Sequence, residues 1–131
     1  MCKGYTSDPI YAAIAAKRLS WAQYLNECDL VAHVVGAEKM ETTDKACRAD
    51  SGATSRIAQT KPTTLFGLYD VLRFVAEHEQ GTDFFYDEDE VFVFLKTLAS
   101  AAGDLVADDC MKRAARNVAT RDKAAIARAG L

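Results

Sequence analysis

The sequence predicts an all-α protein, a bundle of about four main helices plus a C-terminal helix, and three observations carry that prediction. Only two prolines and seven glycines interrupt 131 residues. Many of the hydrophobic residues are alanines, which favour closely packed helices over a turn-rich β domain. Apolar side chains recur at alternating steps of three and four in several long segments, the period of one helix face. The length suits a single domain whose core needs no disulfide or metal. A bundle over residues 1–107 and a basic C-terminal helix or tail over 108–131, packed on the same domain, is the expected organisation.

The first helix begins at Ser7-Asp8-Pro9, where Asp8 can cap free backbone N–H groups and Pro9 fits the first helical position. Its seam runs Ile10, Ile14, Lys17, Trp21, Tyr24, Cys28, Val31 and Val35, with Lys17 the one strongly polar member and Gly36 a natural stop. A seam of that length requires an apolar partner. The second helix, Met40 to Ala58, carries Met40, Thr43, Cys47, Thr54 and Ile57 on one side. Asp50 lies on the same stripe, and Ser51-Gly52 predicts a bend.

Lys61-Pro62-Thr63-Thr64 ends that helix, and either threonine can cap the next, predicted over Leu65 to Glu79. Gln80 to Asp89 reads as a loop holding Phe84, Phe85 and Tyr86. Its acidic end, Asp87-Glu88-Asp89-Glu90, suits the positive terminus of a fourth helix with the stripe Val91, Leu95, Leu98, Ala102 and Leu105. The tail carries six basic and three acidic residues against ten and sixteen before it. Asn117 or Thr120 marks a break, and a frayed or separately packed fifth helix is expected.

The blocks Asp8-Pro9-Ile10, Ala12-Ala13-Ile14 and Trp21, then Lys61-Pro62-Thr63-Thr64-Leu65, Gly67-Leu68 and Leu72-Arg73-Phe74-Val75-Ala76-Glu77, resemble a group of short, uncharacterised bacterial helical proteins. The similarity spans roughly residues 8 to 105. It implies a helical fold and a bacterial, cytoplasmic setting, and it brings no activity, cofactor or catalytic residue.

Chemistry-bearing motifs are sparse. The four cysteines, Cys2, Cys28, Cys47 and Cys110, show no C-x-x-C spacing, and the histidines His33 and His78 belong to no zinc-binding pattern. Asp29 and His33, one turn apart, read either as ligands or as a surface pair. Glu77-His78-Glu79 points in three directions on a helix and does not converge. Asp83, Asp87 and Asp89 lack the glycine and distal glutamate of a calcium loop. Nucleophile elbows and phosphate-binding glycine loops are missing. No catalytic residue, cofactor or metal site is therefore assigned. The net charge of −3 and the lack of any membrane-length apolar run or secretory signal fit a cytoplasmic protein.

These features favour a non-enzymatic protein–protein interaction or scaffold module that homodimerises through its long first helix. Trp21, Tyr24, Val31, Phe84, Phe85 and Tyr86 are the candidate interface residues. Lys112, Arg113, Arg116 and Lys123 form a candidate basic patch. Two other readings stand beside this one: a small-molecule site between helices near Trp21 and Tyr24, and a nucleic-acid accessory role for the basic tail.

Overall fold

The computed structural model describes residues 8–33 and 37–130, with side chains described for 8–30 and 41–130. Four α-helices follow in chain order: α1 Pro9–His33, α2 Ala37–Gln59, α3 Leu65–Glu77 and α4 Glu88–Arg128, with a single 3₁₀ turn at Gly81–Asp83 before α4. No strand occurs among the described residues. Cys2, Val35 and Gly36 lie outside the described residues. The side chains of Val31, His33 and Met40 lie outside those described.

Local chemistry sets the helix starts. Asp8 Oδ1 accepts from Ile10 N at 3.1 Å. Thr64 Oγ1 accepts from Gly67 N at 3.0 Å, and Asp87 Oδ1 from Glu90 N at 2.8 Å. Each cap satisfies an N–H that the first helical turn leaves without a partner. Glu88, Asp89 and Glu90 fill the first turn of α4, as its dipole favours.

The chain runs up and down. Lys17 and Ser20 of α1 both reach Asp50 of α2, so these two helices form an antiparallel hairpin. Tyr11 meets Asp70, and Trp21 meets His78, so α3 runs alongside α1 in the same sense. Ser55 meets Glu90 and Lys61 meets Asp104, which sets α4 parallel to α2. Ile10, Ala13, Ile14, Ile57, Ala58, Val71, Phe84, Phe94 and Leu98 make the buried core where the four helices converge.

Three expectations change. The third helix stops at Glu77, two residues early, because His78 turns extended (φ −65°, ψ 141°) and carries its ring inward. Gly81 then takes a positive φ of 62°, a conformation glycine adopts without a steric penalty. The tail is no separate fifth helix. α4 passes through Asn117 and Thr120 to Arg128, and every residue from Val106 to Gly130 is exposed. About half of α4 therefore stands clear of the bundle, supported at its base by the ion pairs Lys112–Asp108 and Arg113–Asp109.

Candidate functional site

The two polar interruptions in the apolar stripes of α1 and α2 meet each other. Lys17 Nζ donates to Asp50 Oδ2 at 2.7 Å and to Thr54 Oγ1 at 2.8 Å, with both ion-pair side chains fully buried. Asp50 also accepts from Ser20 Oγ (2.8 Å, to Oδ1) and from the Tyr86 hydroxyl (2.7 Å, to Oδ2). Lys17 Nζ stands 5.3 Å from the Trp21 ring centre, 5.0 Å from Phe84 and 5.8 Å from Tyr86. Carboxylate, hydroxyl and aromatic faces thus replace the water a buried ammonium loses.

Burial lowers the pKa of Lys17, opposed by its hydrogen bond to Asp50 and by the charges of Asp50 and Glu90. Burial, then the bond to Asp50, raises that of Tyr86. Because Lys17 and Asp50 are enclosed on every side, this cluster can hold a proton and fix helix register. It offers no surface to a substrate.

Around the cluster the aromatic residues form a continuous chain of ring contacts, most of them edge-to-face. His78 lies 5.4 Å from Trp21, 5.2 Å from Phe74 and 5.1 Å from Phe84, and Phe84 lies 4.9 Å from Phe85, which lies 4.9 Å from Phe94. Burial, then the charge of Lys17, lowers the pKa of His78. Its Nδ1 accepts from Gln80 N at 3.2 Å, as the neutral ring allows.

Phe84 is buried and Phe85 half-buried, so both close the bundle end. Tyr86 is partly exposed but anchored through its hydroxyl. Trp21 and Tyr24 are half-buried, with their rings tilted against each other at 5.6 Å between centres. The acid–imidazole triplet separates: His78 faces inward, Glu77 pairs with Arg73, and Glu79 is exposed.

A second junction links the starts of α1 and α3. Asp8 Oδ2 accepts from Thr63 N (3.2 Å), Thr64 N (3.1 Å) and the Thr64 hydroxyl (2.6 Å). Gly67 sits directly against it, and a Cβ there would fall 1.9 Å from that same oxygen. The Asp8-Pro9-Ile10 and Lys61-to-Leu68 blocks are therefore two halves of one clasp.

A surface cavity of about 750 Å³ between α1 and α3 is lined by Tyr11, Arg18, Asp70, Arg73, Glu77 and Glu79 among others. Its charged groups are largely engaged with one another: Tyr11 donates to Asp70, Arg73 pairs with Glu77, and Arg18 lies over Phe74 at 5.2 Å. Among the described residues no group of three histidine, cysteine, aspartate or glutamate side chains is placed to hold a metal ion.

The unpartnered surface lies elsewhere, on α3 and α4. Leu65 and Leu72, two turns apart on one side of α3, are 69% and 47% exposed, and Leu65 lines a groove shared with α4. Phe92, Leu95 and Val106 are 60%, 54% and 63% exposed, and with Ala99 and Ala102 they keep a strict three–four spacing on α4. Between the helices runs a groove of about 570 Å³ whose walls include Leu65, Leu68, Ala102, Leu105 and Val106. The sequence stripe Val91, Leu95, Leu98, Ala102 and Leu105 mixes buried and exposed positions, and periodicity gave no signal that its outer edge would be left uncovered.

From Lys112 at the edge of the groove, Lys112, Arg113, Arg116 and Lys123 share one side of the projecting helix. Lys112 and Arg113 are held by Asp108 and Asp109. Met111, Ala115, Val118 and Ala125 lie on another side, all exposed. No described helix is long and apolar enough to cross a membrane. Comparison of the chain with protein-family models, with curated proteins and with solved structures gives no match.

Proposed function

We propose that this chain is an interaction module that self-associates, and that the contact surface is the exposed α3/α4 face. The observation that carries this reading is the run of Leu65, Leu72, Phe92, Leu95 and Val106 left open beside a groove. Soluble monomers seldom expose contiguous apolar patches of that kind. Surface area points the same way: the chain exposes 9326 Å², against roughly 6,800 Å² for a compact monomer of its mass. The excess is larger than the roughly 800 Å² per partner of a standard interface.

The first helix is a weaker candidate for that surface. Ile10, Ile14 and Lys17 are buried and Trp21, Tyr24 and Cys28 half-buried inside the chain, so its seam already has a partner in α2. A catalytic reading has no support from the Lys17 cluster, which is closed to solvent.

The test is solution mass by light scattering for the full chain and for Leu72→Lys and Leu95→Lys. A dimer in the wild type that either substitution weakens at least tenfold is the expected result. Placing an ammonium in a desolvated contact forfeits about 1.5–3 kcal/mol of leucine burial before any charge cost. A wild type that stays monomeric at high micromolar concentration sinks the proposal.

A further inference from the structure

We infer that the occupant of the α3/α4 groove is the projecting half of α4 from a second copy, exchanged reciprocally in an antiparallel two-fold dimer. This rests on the self-association proposed above and names its partner segment.

Length is the first argument. The bundle half of α4, residues 88–107, and the projecting half, 109–128, are each twenty residues, roughly 30 Å at 1.5 Å per residue. A two-fold axis beside residue 108 therefore matches each projecting half in length to its partner's bundle half, and a closed pair results. The groove's walls extend to Leu105, Val106, Asp108 and Asp109, where the projection leaves the bundle.

Charge is the second. Residues 88–107 hold Glu88, Asp89, Glu90 and Asp104 against Lys96, a net charge of −3, while 108–128 hold six basic residues against three acidic, a net charge of +3. In the antiparallel arrangement position 108+k lies opposite position 108−k, so Arg128 comes over Glu88 of the partner's α4, with Lys123 and Arg121 opposite residues 93 and 95, one to two turns along from that acidic start. Glu88 and Asp89 are exposed there, with Asp83 on the adjoining turn.

The projection covers none of its own apolar side. Met111, Ala115, Val118, Ala125 and Ala129 recur at helical spacing, interrupted once by Asp122, and all of them are exposed among the described residues. A helix of this length is marginal in water without packing.

Helical geometry adds how the helices meet. At 100° per residue the stripe around Phe92 to Val106 and the stripe around Met111 to Ala129 point roughly 130° apart. Two straight α4 helices cannot present both along one line, so they cross near residue 108. Each projection then lies over the partner's groove and α3 edge. The direction midway between the stripes is occupied by Gly103, Ala107, Cys110 and Ala114, small residues that let the two backbones approach. A Cβ added at Gly103 would meet nothing within 4 Å in the single chain.

A charge-swap experiment on full-length protein tests this, with circular dichroism confirming that each variant is folded. One variant carries Arg121→Glu, Lys123→Glu and Arg128→Glu; the other carries Asp83→Lys, Glu88→Lys and Asp89→Lys. Each alone is expected to be monomeric at a concentration where the wild type is dimeric, and an equimolar mixture is expected to recover the dimer as a heterodimer. Gly103→Leu is expected to keep the helical signal and to weaken dimerisation at least tenfold.

If the arginine and lysine variant dimerises like wild type, or the mixture fails to recover a dimer, the projecting helix is not the occupant, while self-association through α3/α4 stands. If the wild type itself is monomeric, both proposals fall. A monomer retained on a DNA column through the same basic residues would assign the projection to a polyanion instead.

Discussion

Lys17 shows how a single residue can be misjudged by its neighbours in sequence. On the stripe of α1 it is the one strongly polar position, and Asp50 is the matching flaw in α2. That each had a neutralising partner was legible only as a coincidence of opposite charges on two apolar faces, because pairing depends on how α1 and α2 slide past each other. Once buried, the pair adds little net stability over an apolar replacement, but breaking it is costly. Asp50→Ala leaves the Lys17 ammonium without its counter-charge and is expected to destabilise the fold by about 3–5 kcal/mol in urea unfolding. Lys17→Met combined with Asp50→Leu is expected to cost clearly less than the two single changes added together. An additive double-mutant cycle would show that the pair is not coupled.

His78 gives a residue-scale prediction in pH. Its ring is walled by Trp21, Phe74 and Phe84 and faces the charge of Lys17, with Glu79 and Asp50 as the nearby acids that oppose the shift. The folded pKa lies below the ordinary value of about 6.5, so the unfolded chain binds more protons between the two values. The stabilising contribution is complete above about pH 6.5 and is lost as pH falls towards the folded value. Glu90, raised by burial, works in the opposite sense below neutrality, so the comparison must be a difference. Wild type is expected to lose more stability than His78→Gln between pH 7.5 and 5.5. Parallel pH profiles would exclude this role for the ring.

At the scale of the element, the capped starts of α1, α3 and α4 and the end of α2 were legible, while the start of α2 and the ends of α3 and α4 were not. Asp8, Thr64 and Asp87 cap locally, with partners two or three residues away, and such chemistry survives any tertiary arrangement. The end of α3 is set by the inward turn of His78 into rings from α1 and from the following loop, which α3's own period does not record. The expected break at Asn117 or Thr120 fails for another reason. Both residues have only modestly poor helix propensity, and the alanine-rich run around them sustains the helix.

Glycine separates local from tertiary causes most cleanly. Gly52 and Gly67 both lie inside helices, and sequence alone gives both the same penalty. Around Gly52 there is open space, whereas a Cβ on Gly67 would collide with the Asp8 carboxylate that joins α1 to α3. Gly52→Ala is expected to stabilise by about 0.5–1 kcal/mol, the ordinary gain in a helix interior. Gly67→Ala is expected to destabilise by about 3 kcal/mol or more, since overpacking adds to the loss of several hydrogen bonds to Asp8. Thermal midpoints moving in opposite directions would verify the contrast, and a neutral Gly67→Ala would show that the clasp yields.

For the whole molecule, the fold class was readable because period and composition act on each helix separately, while the candidate surface was not, because exposure depends on what the rest of the chain leaves uncovered. Leu65 and Leu98 are equivalent hydrophobes in sequence, yet they are 69% and 8% exposed. The charge asymmetry was readable and gains meaning only from the straight projection of α4, which holds the basic half away from the acidic bundle of its own chain.

If that asymmetry steers two copies together, association must respond to salt. Screening shortens from roughly 10 Å at 0.1 M ionic strength to roughly 3 Å at 1 M, which removes attraction between exposed charges but leaves leucine burial intact. Sedimentation equilibrium is therefore expected to show dimerisation at least tenfold weaker at 1 M than at 0.1 M sodium chloride, with the association rate falling more than the dissociation rate rises. The mean helical signal should fall with dilution as well, since the projecting half of α4 loses its packing when the copies separate. A dimer indifferent to salt would mean that the apolar face alone holds the copies together, and the acidic bundle and basic helix would then have no part in choosing the partner.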